Sequence, residues 1–237
     1  MNKITERLHV KNWGEITGNL DQEGYVVVSD VLTKQECDDL TANYDASDIY
    51  RKTVLMERYR FGKGEYKYYQ YPLPQLVTDV RETVYPHLAK AANKWMEELK
   101  MDTVFPDTHA ELKAKCHEAG QTKPTALILK YGEGGFNTLH QDLYGDIYFP
   151  MQVVLFLNEP GRDYTGGEFV LTEQIPRAQS KAIVLQPKQG DMLIFTTNFR
   201  PVKGSKGYYR VNMKHGVSPL HSGQRHTLGI IFHDALS

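Results

Sequence analysis

The spacing of apolar positions changes from a helical to an extended period near the middle of the chain. In the first half, one short apolar run at residues 24–28 predicts a strand. Thr33 and Glu36 have the spacing of a helical capping box. Apolar residues then recur four or seven positions apart, as on one face of a helix, at Leu76, Val80, Val84, Leu88, Trp95 and Leu99. Residues 1–124 are therefore predicted to be mostly helical.

Two further features refine this helical half. Pro86 lies inside the longest helical pattern and should kink it or divide it into two helices, since proline lacks the backbone donor. Residues 107–120 are predicted to form another short helix.

From about Thr125 the pattern becomes one of short strands separated by turn residues. The candidate strands cover residues 125–131, 137–140, 151–158, 168–172, 182–186, 192–195, 210–215 and 226–233. Residues 153–157 are continuously apolar, as in a strand buried on both faces. Strands at this spacing are typical of a sandwich or barrel. We expect an α+β, mainly β fold: a double-stranded β-helix, or distorted jelly roll, buttressed by the N-terminal helices.

Length and composition fit one globular domain. The 237 residues include 41% hydrophobic and 24% charged residues, which is ordinary for a folded protein. No repeat or Pro/Gly-rich linker divides the chain, so a single domain over residues 1–237 is expected, with residues 1–124 supporting a core at 125–237. The 28 basic and 29 acidic residues give a net charge of -1, which creates no global attraction to nucleic acid or to an anionic membrane.

The sequence also bears on the compartment. The first seven residues lack the apolar core of a secretory signal, and no apolar run is long enough for a membrane span. Cys37 and Cys116 are the only cysteines and lie far apart in sequence, which suggests neither a disulfide framework nor a thiolate zinc site. A cytoplasmic protein with free structural thiols is expected.

The candidate chemistry begins at His140 and Asp142. Residues two apart in a strand project to the same face, so this imidazole and carboxylate could bind one metal ion together. Alone, the pair could equally be a surface accident or a hydrogen-bonded pair. His215, near the end of another predicted strand, would complete the ligand set of two histidines and one carboxylate that leaves coordination positions open on iron. By itself, His215 could be a satisfied core or turn histidine.

Arg225 follows His215 by ten residues and opens an otherwise apolar strand. A buried guanidinium needs a partner, and a carboxylate meets its planar fork with two hydrogen bonds. The partner could be an anionic co-substrate or an Asp or Glu of the protein itself.

These residues, in order and spacing, resemble the iron(II)/2-oxoglutarate-dependent oxygenase superfamily, specifically its prolyl-hydroxylase-like branch. The resemblance covers about residues 125–237 and includes the H-x-D, H and R positions at His140, Asp142, His215 and Arg225. Flanking motifs are also similar: Tyr131 ahead of the H-x-D motif, the G-G-E turn at residues 166–168, and the P-x-x-G-D strand at residues 187–191.

The resemblance implies a dioxygenase that hydroxylates its substrate and forms succinate and carbon dioxide as co-products. His140, Asp142 and His215 would bind Fe(II), Arg225 would pair with the distal carboxylate of 2-oxoglutarate, and Tyr131 would donate a hydrogen bond to the same co-substrate. Ascorbate could serve as reductant. Tyr131 could instead be an ordinary core tyrosine.

Three readings of the function stay open. In the first, the resemblance favours a polypeptide side chain, prolyl or other, as the substrate, and a small molecule is nearly as well supported. No membrane partner is expected, and the sequence does not indicate an oligomeric state. The second reading is an oxidative demethylase of alkylated nucleic acid, although Leu129 and Ile231 stand where those enzymes carry an asparagine and a second arginine. The third is a non-enzymatic, cupin-like metal-binding module.

A basic stretch precedes His215. Residues 200–210 and Lys214 combine positive charge with two tyrosines, a mixture that suits either a solvated loop or contacts with nucleic acid. Because the stretch runs into the strand that carries His215, we expect it near the mouth of the site, where it would contact an anionic or extended substrate.

Overall fold

The computed structural model describes residues 3–143 and 145–237. Residues 1, 2 and 144 lie outside this description, so the first two residues of the N-terminal segment discussed above are not included. The described residues form five α-helices, in chain order α1 Ile4–His9, α2 Trp13–Glu23, α3 Lys34–Ala42, α4 Gln75–Glu98 and α5 His109–Glu118.

The described residues also form two single-turn 3-10 helices, Asn43–Asp45 and Met56–Tyr59, and fifteen strands. In chain order the strands are β1 Tyr25–Val28, β2 Tyr50–Leu55, β3 Gly62–Lys63, β4 Glu65–Tyr69, β5 Leu127–Tyr131, β6 Phe136–His140, β7 Met151–Phe156, β8 Tyr164–Gly166, β9 Phe169–Gln174, β10 Lys181–Leu185, β11 Met192–Thr196, β12 Phe199–Gly204, β13 Gly207–Val217, β14 Leu220–Gly223 and β15 Arg225–Ile231.

The strands form two facing sheets and a small ribbon. The main sheet has the order β1-β11-β7-β15-β5-β4-β2, and the minor sheet has the order β10-β9-β13-β6-β3, with β12 paired to β13. Strands β14 and β8 form a separate two-stranded ribbon. The named pairs are antiparallel. This arrangement confirms the predicted jelly roll, mainly β with N-terminal helices.

The main sheet is covered on both faces. Strand β7 lies between β11 and β15, and every one of its residues is buried, as its continuous apolar run predicts. One of its faces packs against the helices, where Val80, Val84 and Leu88 of α4 join the largest apolar cluster. The other face meets the minor sheet through Val154 and Phe156. The helices therefore act as the buttress for the barrel.

Helix α4 runs without a break through Pro86, so of the two predicted effects of this proline, a kink or a division, the division into two helices is wrong. The proline removes one backbone donor, but the partner carbonyl belongs to Glu82, which is exposed and can bond to water. The apolar face of the helix is buried from Val77 to Met96, on both sides of the proline. The capping boxes at Thr33–Glu36 and Thr108–Glu111 are both present.

The first half contains more strand than the sequence predicts. Strands β2, β3 and β4 lie between residues 50 and 69, and β2 and β4 extend the main sheet beyond β5. Their sequence mixes lysine and arginine with tyrosine, so neither a clean alternation nor an apolar run marks them. Shorter elements β8, β12 and β14 were also missed, whereas the eight predicted strands of the second half all occur with shifted ends.

Cys37 on α3 and Cys116 on α5 are free thiols with fully buried side chains. Burial raises the pKa of the Cys37 thiol to about 12.

No helix among the described residues combines the length and the apolar content that crossing a membrane would require.

Candidate active site

Two strands of the minor sheet bring the predicted histidines together. His140 ends β6 and is the direct register partner of His215 on β13, so their side chains leave the same face of the sheet. The two ring centroids are 4.1 Å apart. The chain then turns so that Asp142 reaches both rings. Its Oδ1 lies 3.5 Å from Nε2 of His140, and its Oδ2 lies 3.4 Å from Nε2 of His215.

The three predicted ligands therefore form one cluster. One potential ligand atom from each residue lies within 4.8 Å of the others, a spacing that could hold a single metal ion. Asp142 and His215 are buried, and His140 is partly exposed. A set of two imidazoles and one carboxylate suits a divalent transition metal with open positions on its remaining side.

The orientation of His140 is fixed by its own strand. Its Nδ1 lies 2.7 Å from the carbonyl oxygen of Thr138. A ring that donates from Nδ1 to this carbonyl carries its lone pair on Nε2, which faces Asp142. Burial and the neighbouring His215 lower the pKa of His140, so the neutral ring that can bind a metal is favoured.

Gln152 orients the carboxylate. Its side-chain Nε2 donates a 2.8 Å hydrogen bond to Oδ2 of Asp142. Burial alone would raise the pKa of Asp142, but the hydrogen bonds from His215 and the Gln152 amide and the electrostatic interactions with His215 and His140 outweigh this effect. The pKa of Asp142 consequently lies well below its usual range, and the group is an anion at neutral pH.

Arg225 and Tyr131 face the same cavity from the main sheet. They are register partners on β15 and β5, and the guanidinium carbon lies 5.6 Å from the centre of the Tyr131 ring. Arg225 is only 1% exposed. It forms no ion pair with any carboxylate in the described part of the chain. The described residues therefore do not contain the alternative arrangement, a structural salt bridge between Arg225 and an Asp or Glu.

Three buried polar atoms around the cluster have no hydrogen-bond partner in residues 3–143 and 145–237: Arg225 Nε, the Tyr131 hydroxyl and His215 Nδ1. Burial raises the pKa of Tyr131 to about 12, so its hydroxyl remains a donor. A buried donor without a hydrogen-bond partner costs free energy, so unpaired donors that line a cavity indicate a polar group that binds there. A guanidinium and a hydroxyl that converge on one space fit an anion with acceptor oxygens, as 2-oxoglutarate has.

A cavity of about 250 Å³ joins the cluster to these donors. The facing sheets supply most of its walls, and the turn at Met56 and Phe61 closes one side. Its lining is largely apolar and aromatic, with Tyr66, Tyr68, Leu127, Leu129, Val154, Phe169, Phe195, Val217, Gly229 and Ile231 around the polar group. Such a cavity can hold a small anion beside a metal and still admit part of a substrate.

The G-G-E turn at residues 166–168 packs against the side chain of Arg225. Gly167 has a φ of 64°, and a Cβ there would lie 2.4 Å from Leu220 and 3.2 Å from Cδ of Arg225. Only glycine accepts both the backbone conformation and this close approach. The turn therefore packs against Leu220 and Arg225. It is not a hairpin turn, because β8 pairs with β14 whereas β9 pairs with β10 and β13.

The basic stretch at residues 200–214 lies elsewhere. Arg200 pairs with Glu173 at 2.6 Å, Arg210 reaches Sδ of Met101, and Tyr208 bonds to Glu98 on α4. Strand β12 packs against α2 and α4, and no residue of 200–214 lines the cavity. The expectation that this stretch sits at the mouth is wrong, because the hairpin folds back over the helices.

Sequence reasoning missed two glutamines. Gln152 is the only polar side chain in an otherwise apolar strand β7, and that irregularity was a usable signal. Gln141, between the first two ligands, donates to Met213 O at 2.8 Å and to Asn198, which fastens the ligand turn to β13. No sequence feature distinguishes Gln141 from a polar residue that is exposed to solvent.

Comparison with known proteins places residues 64–235 under a family model, Oxygenase-NA, described as an oxygenase catalysing oxidative methylation of damaged DNA. The chain is also 47% identical, over 164 residues, to the uncharacterized proteins MT2286 and Rv2227 of Mycobacterium tuberculosis. The match covers 69% of this chain and 70% of each relative.

Solved structures share the fold at low sequence identity. A prolyl-4-hydroxylase of Pseudomonas putida is 16% identical with a TM-score of 0.56, and the match covers 94% of this chain and all of that one (100%). A prolyl hydroxylase of Trichoplax adhaerens, in complex with a hypoxia-inducible factor peptide, is 15% identical with a TM-score of 0.61, covering 97% and 90%. A 2OG-Fe(II) oxygenase family oxidoreductase of Burkholderia pseudomallei is 15% identical with a TM-score of 0.51, covering 95% and 94%.

Proposed function

Because the chain belongs to the oxygenase family whose model it matches over residues 64–235, we propose that it is an Fe(II)- and 2-oxoglutarate-dependent dioxygenase. One observation carries this proposal: the cluster of His140, Asp142 and His215 shares a cavity with a buried Arg225 that has no carboxylate partner in the described residues. The cluster supplies the ligands for iron(II). The arginine supplies the counter-charge for a dicarboxylate.

The reaction balances as follows. A C–H bond of the substrate becomes C–OH, 2-oxoglutarate loses carbon dioxide and becomes succinate, and one oxygen atom of dioxygen enters each organic product. Dioxygen is reduced, and both the substrate and 2-oxoglutarate are oxidised. Iron(II), when bound, supplies the activation of dioxygen.

The protein's share is binding and orientation. Arg225 would pair with the distal carboxylate of 2-oxoglutarate, and the Tyr131 hydroxyl would donate to the same molecule. Thr138 fixes the tautomer of His140, and Gln152 fixes the rotation of the Asp142 carboxylate. Val154, Phe169 and Phe195 line the cavity close to these groups and exclude water from the reacting atoms.

For the substrate we favour a damaged base in nucleic acid. The family description names damaged DNA. Tyr66 and Tyr68, whose rings meet edge to face at 5.4 Å, line the cavity together with His140. Aromatic walls of this kind suit a planar base that has left its stack. Ile231 lies in the same wall, so recognition of the base would not involve a second arginine at that position.

A polypeptide side chain is the alternative substrate. It is supported by the likeness to prolyl hydroxylases, which at 15–16% identity reflects the shared fold.

The cofactor assignment is tested by anaerobic titration of the iron(II)-loaded protein with 2-oxoglutarate, followed by visible absorption for the weak metal-to-ligand charge-transfer band. We expect a band in the wild type, none in His140→Ala, and a much higher 2-oxoglutarate requirement in Arg225→Ala. A metal that binds without any band would sink the proposal and leave a barrel that holds an ion for another purpose.

The substrate assignment needs a separate assay. Single-stranded oligonucleotides with one methylated base are compared with unmodified ones and with a proline-containing peptide, and succinate is measured alongside the product mass. Hydroxylation of the methyl group gives N–CH2OH, whose N–C bond then breaks to release formaldehyde and leave N–H. Loss of the methyl group as formaldehyde only with wild-type protein supports the damaged base as the substrate. Hydroxylation of the peptide without demethylation of the oligonucleotide would instead support a polypeptide side chain as the substrate.

We also propose that residues 1–237 act as one domain. Strands from both halves of the chain share the main sheet, and the largest apolar cluster joins Ile4 to Phe232. A single unfolding transition, followed in parallel by far-UV circular dichroism and tryptophan fluorescence, is the expected result.

A further inference from the structure

Residues Arg58, Tyr59, Arg60, Phe61, Gly62 and Lys63 form a segment in which cations and aromatic rings alternate, here called the rim segment. It begins in the single-turn helix Met56–Tyr59 and ends in β3. All of its side chains other than the glycine are exposed. Phe61 also lines the cavity that contains His140. The rim segment is therefore the part of the cavity edge where solvent-facing aromatic and basic groups coincide.

The two aromatic rings of the rim segment stack on each other instead of entering the core. Their centroids are 5.4 Å apart, and the planes differ by 18°. Tyr59 is 56% exposed and Phe61 is 45% exposed. Each ring thus offers apolar surface to the solvent beside the opening. Exposed aromatic faces of this kind form the platforms on which bases stack in single-strand binding proteins.

Backbone contacts tie the rim segment to the metal-ligand strand. The carbonyl oxygen of Phe61 accepts 2.9 Å hydrogen bonds from both the backbone N–H and the hydroxyl of Thr138, two residues before His140. Gly62 pairs with Asn137, and its φ of 142° brings it so close that a Cβ would lie 2.2 Å from Phe136 O. Because of this close approach, the stacked rings keep a fixed position relative to the ligand cluster.

The charge of the rim segment is not neutralised locally. Arg58 and Arg60 form no ion pair among residues 3–143 and 145–237, and Lys63 donates only to the backbone carbonyl of Glu133. Glu57 is the one acidic residue directly adjoining the segment in sequence. Three cations beside stacked rings favour a polyanion with π faces, and binding to phosphates releases counterions.

We propose that the rim segment is the surface on which a single-stranded nucleic acid lies when one of its bases enters the cavity. Tyr59 and Phe61 stack on the base next to the target, and Arg58, Arg60 and Lys63 bind the flanking phosphates. This inference rests on the proposed function, since it names the substrate class for the same site. It assigns to the rim segment the role that the sequence suggested for residues 200–214.

The test is fluorescence anisotropy with a labelled single-stranded oligothymidylate of about twelve nucleotides, a length within the range that single binding modules cover. Two variants change the rim segment: Tyr59→Ala, and Arg58→Gln combined with Arg60→Asn, because asparagine tolerates the φ of 59° at position 60. Two matched controls make the same kinds of change on the β12–β13 hairpin: Tyr208→Ala, and Lys203→Gln combined with Lys206→Gln.

We expect Tyr59→Ala to weaken binding about 10-fold at fixed salt. The double arginine variant should reduce the slope of log K against log salt by about 1.4, since each single-strand phosphate contributes about 0.7. Both controls should bind like the wild type. The inference is overturned if the wild type does not bind, if the hairpin controls lose as much affinity, or if a labelled proline-rich peptide binds in a rim-dependent manner instead.

The charge-transfer titration on the same preparations separates the two proposals. A normal band together with rim-independent oligonucleotide binding would overturn this inference alone. An absent band would overturn the cofactor assignment, while rim-dependent binding would still support the rim segment as a nucleic-acid surface.

Discussion

Gln152 and Asp142 form a buried pair in which the amide donates to the carboxylate oxygen Oδ2 at 2.8 Å. The other oxygen, Oδ1, is turned toward His140 at 3.5 Å. One neutral donor thus decides which oxygen of the carboxylate is presented to each histidine. Because the amide of Gln152 carries no charge, it orients the carboxylate and leaves its negative charge available for the proposed role as a metal ligand.

Replacing Gln152 with methionine should weaken metal binding about 10-fold or more, as loss of an orienting partner does at other metal sites. The side chain keeps a similar size, so the metal-free protein should unfold at nearly the same urea concentration. Anaerobic titration with Mn(II) or Fe(II) measures the affinity. Gln224→Met, which changes an exposed glutamine, serves as the control. An unchanged affinity in Gln152→Met would contradict the orienting role.

Removing each of the two buried arginines should change the stability of the fold by clearly different amounts. Arg81 donates to Asp234 at 3.0 Å and to Phe232 O at 2.8 Å, and both charged side chains are buried. Arg81→Met leaves that carboxylate without its guanidinium and should cost about 3 kcal/mol or more. Arg225→Met removes a cation without an ion-pair partner in the described residues and should cost less than about 1 kcal/mol when 2-oxoglutarate is absent. Urea unfolding of both variants measures the difference.

Tyr131→Phe should weaken 2-oxoglutarate binding about 5-fold, which corresponds to one hydrogen bond of about 1 kcal/mol. The free protein should be no less stable, because the buried hydroxyl has no partner among the described residues. Tyr85→Phe is the matched control, since its hydroxyl donates to Pro106 O at 3.0 Å. That control should lose stability and keep its 2-oxoglutarate affinity. The charge-transfer titration measures the 2-oxoglutarate affinity, and urea unfolding measures the stability. Unchanged affinity together with lost stability in Tyr131→Phe would reject the role of Tyr131.

Acid should destabilise the fold from about pH 6.5 downward. Burial lowers the pKa of His109 to about 3 and that of His226 to about 4, whereas a histidine in the unfolded chain titrates near 6.5. Between these values the unfolded chain binds more protons, so the free energy of unfolding falls as pH decreases. His109→Gln should flatten this dependence, and His9→Gln, at an exposed site, should not. The measurement is urea unfolding at several pH values from about 7.5, above the unfolded value, down to about 4.

Much of the site follows from the sequence because each of its parts carries a local signal. The H-x-D spacing in an extended segment predicts that His140 and Asp142 share a face, and the structure brings His215 beside them by strand pairing. Arg225 is marked as unusual by its apolar strand, and its burial without an ion pair among the described residues agrees with an anion site.

Other parts depend on contacts between distant segments and carry no local signal. Strands β2 and β4 are stabilised by their place at one edge of the main sheet, and β3 by its pairing with β6 at the edge of the minor sheet. No local sequence pattern therefore predicts the rim segment as a structural unit. For the same reason the basic stretch at residues 200–214 was misplaced, since its partner Glu173 and its neighbours on α2 and α4 are far away in sequence.

The burial of both native cysteines has a practical consequence. With Cys37 and Cys116 fully enclosed and the pKa of Cys37 raised by burial, neither thiol should react readily with a maleimide while the protein stays folded. A single cysteine introduced by Tyr59→Cys would then be the accessible nucleophile of the described surface. A fluorophore or spin label attached there would report directly on what approaches the opening of the cavity, without any change to the native thiols.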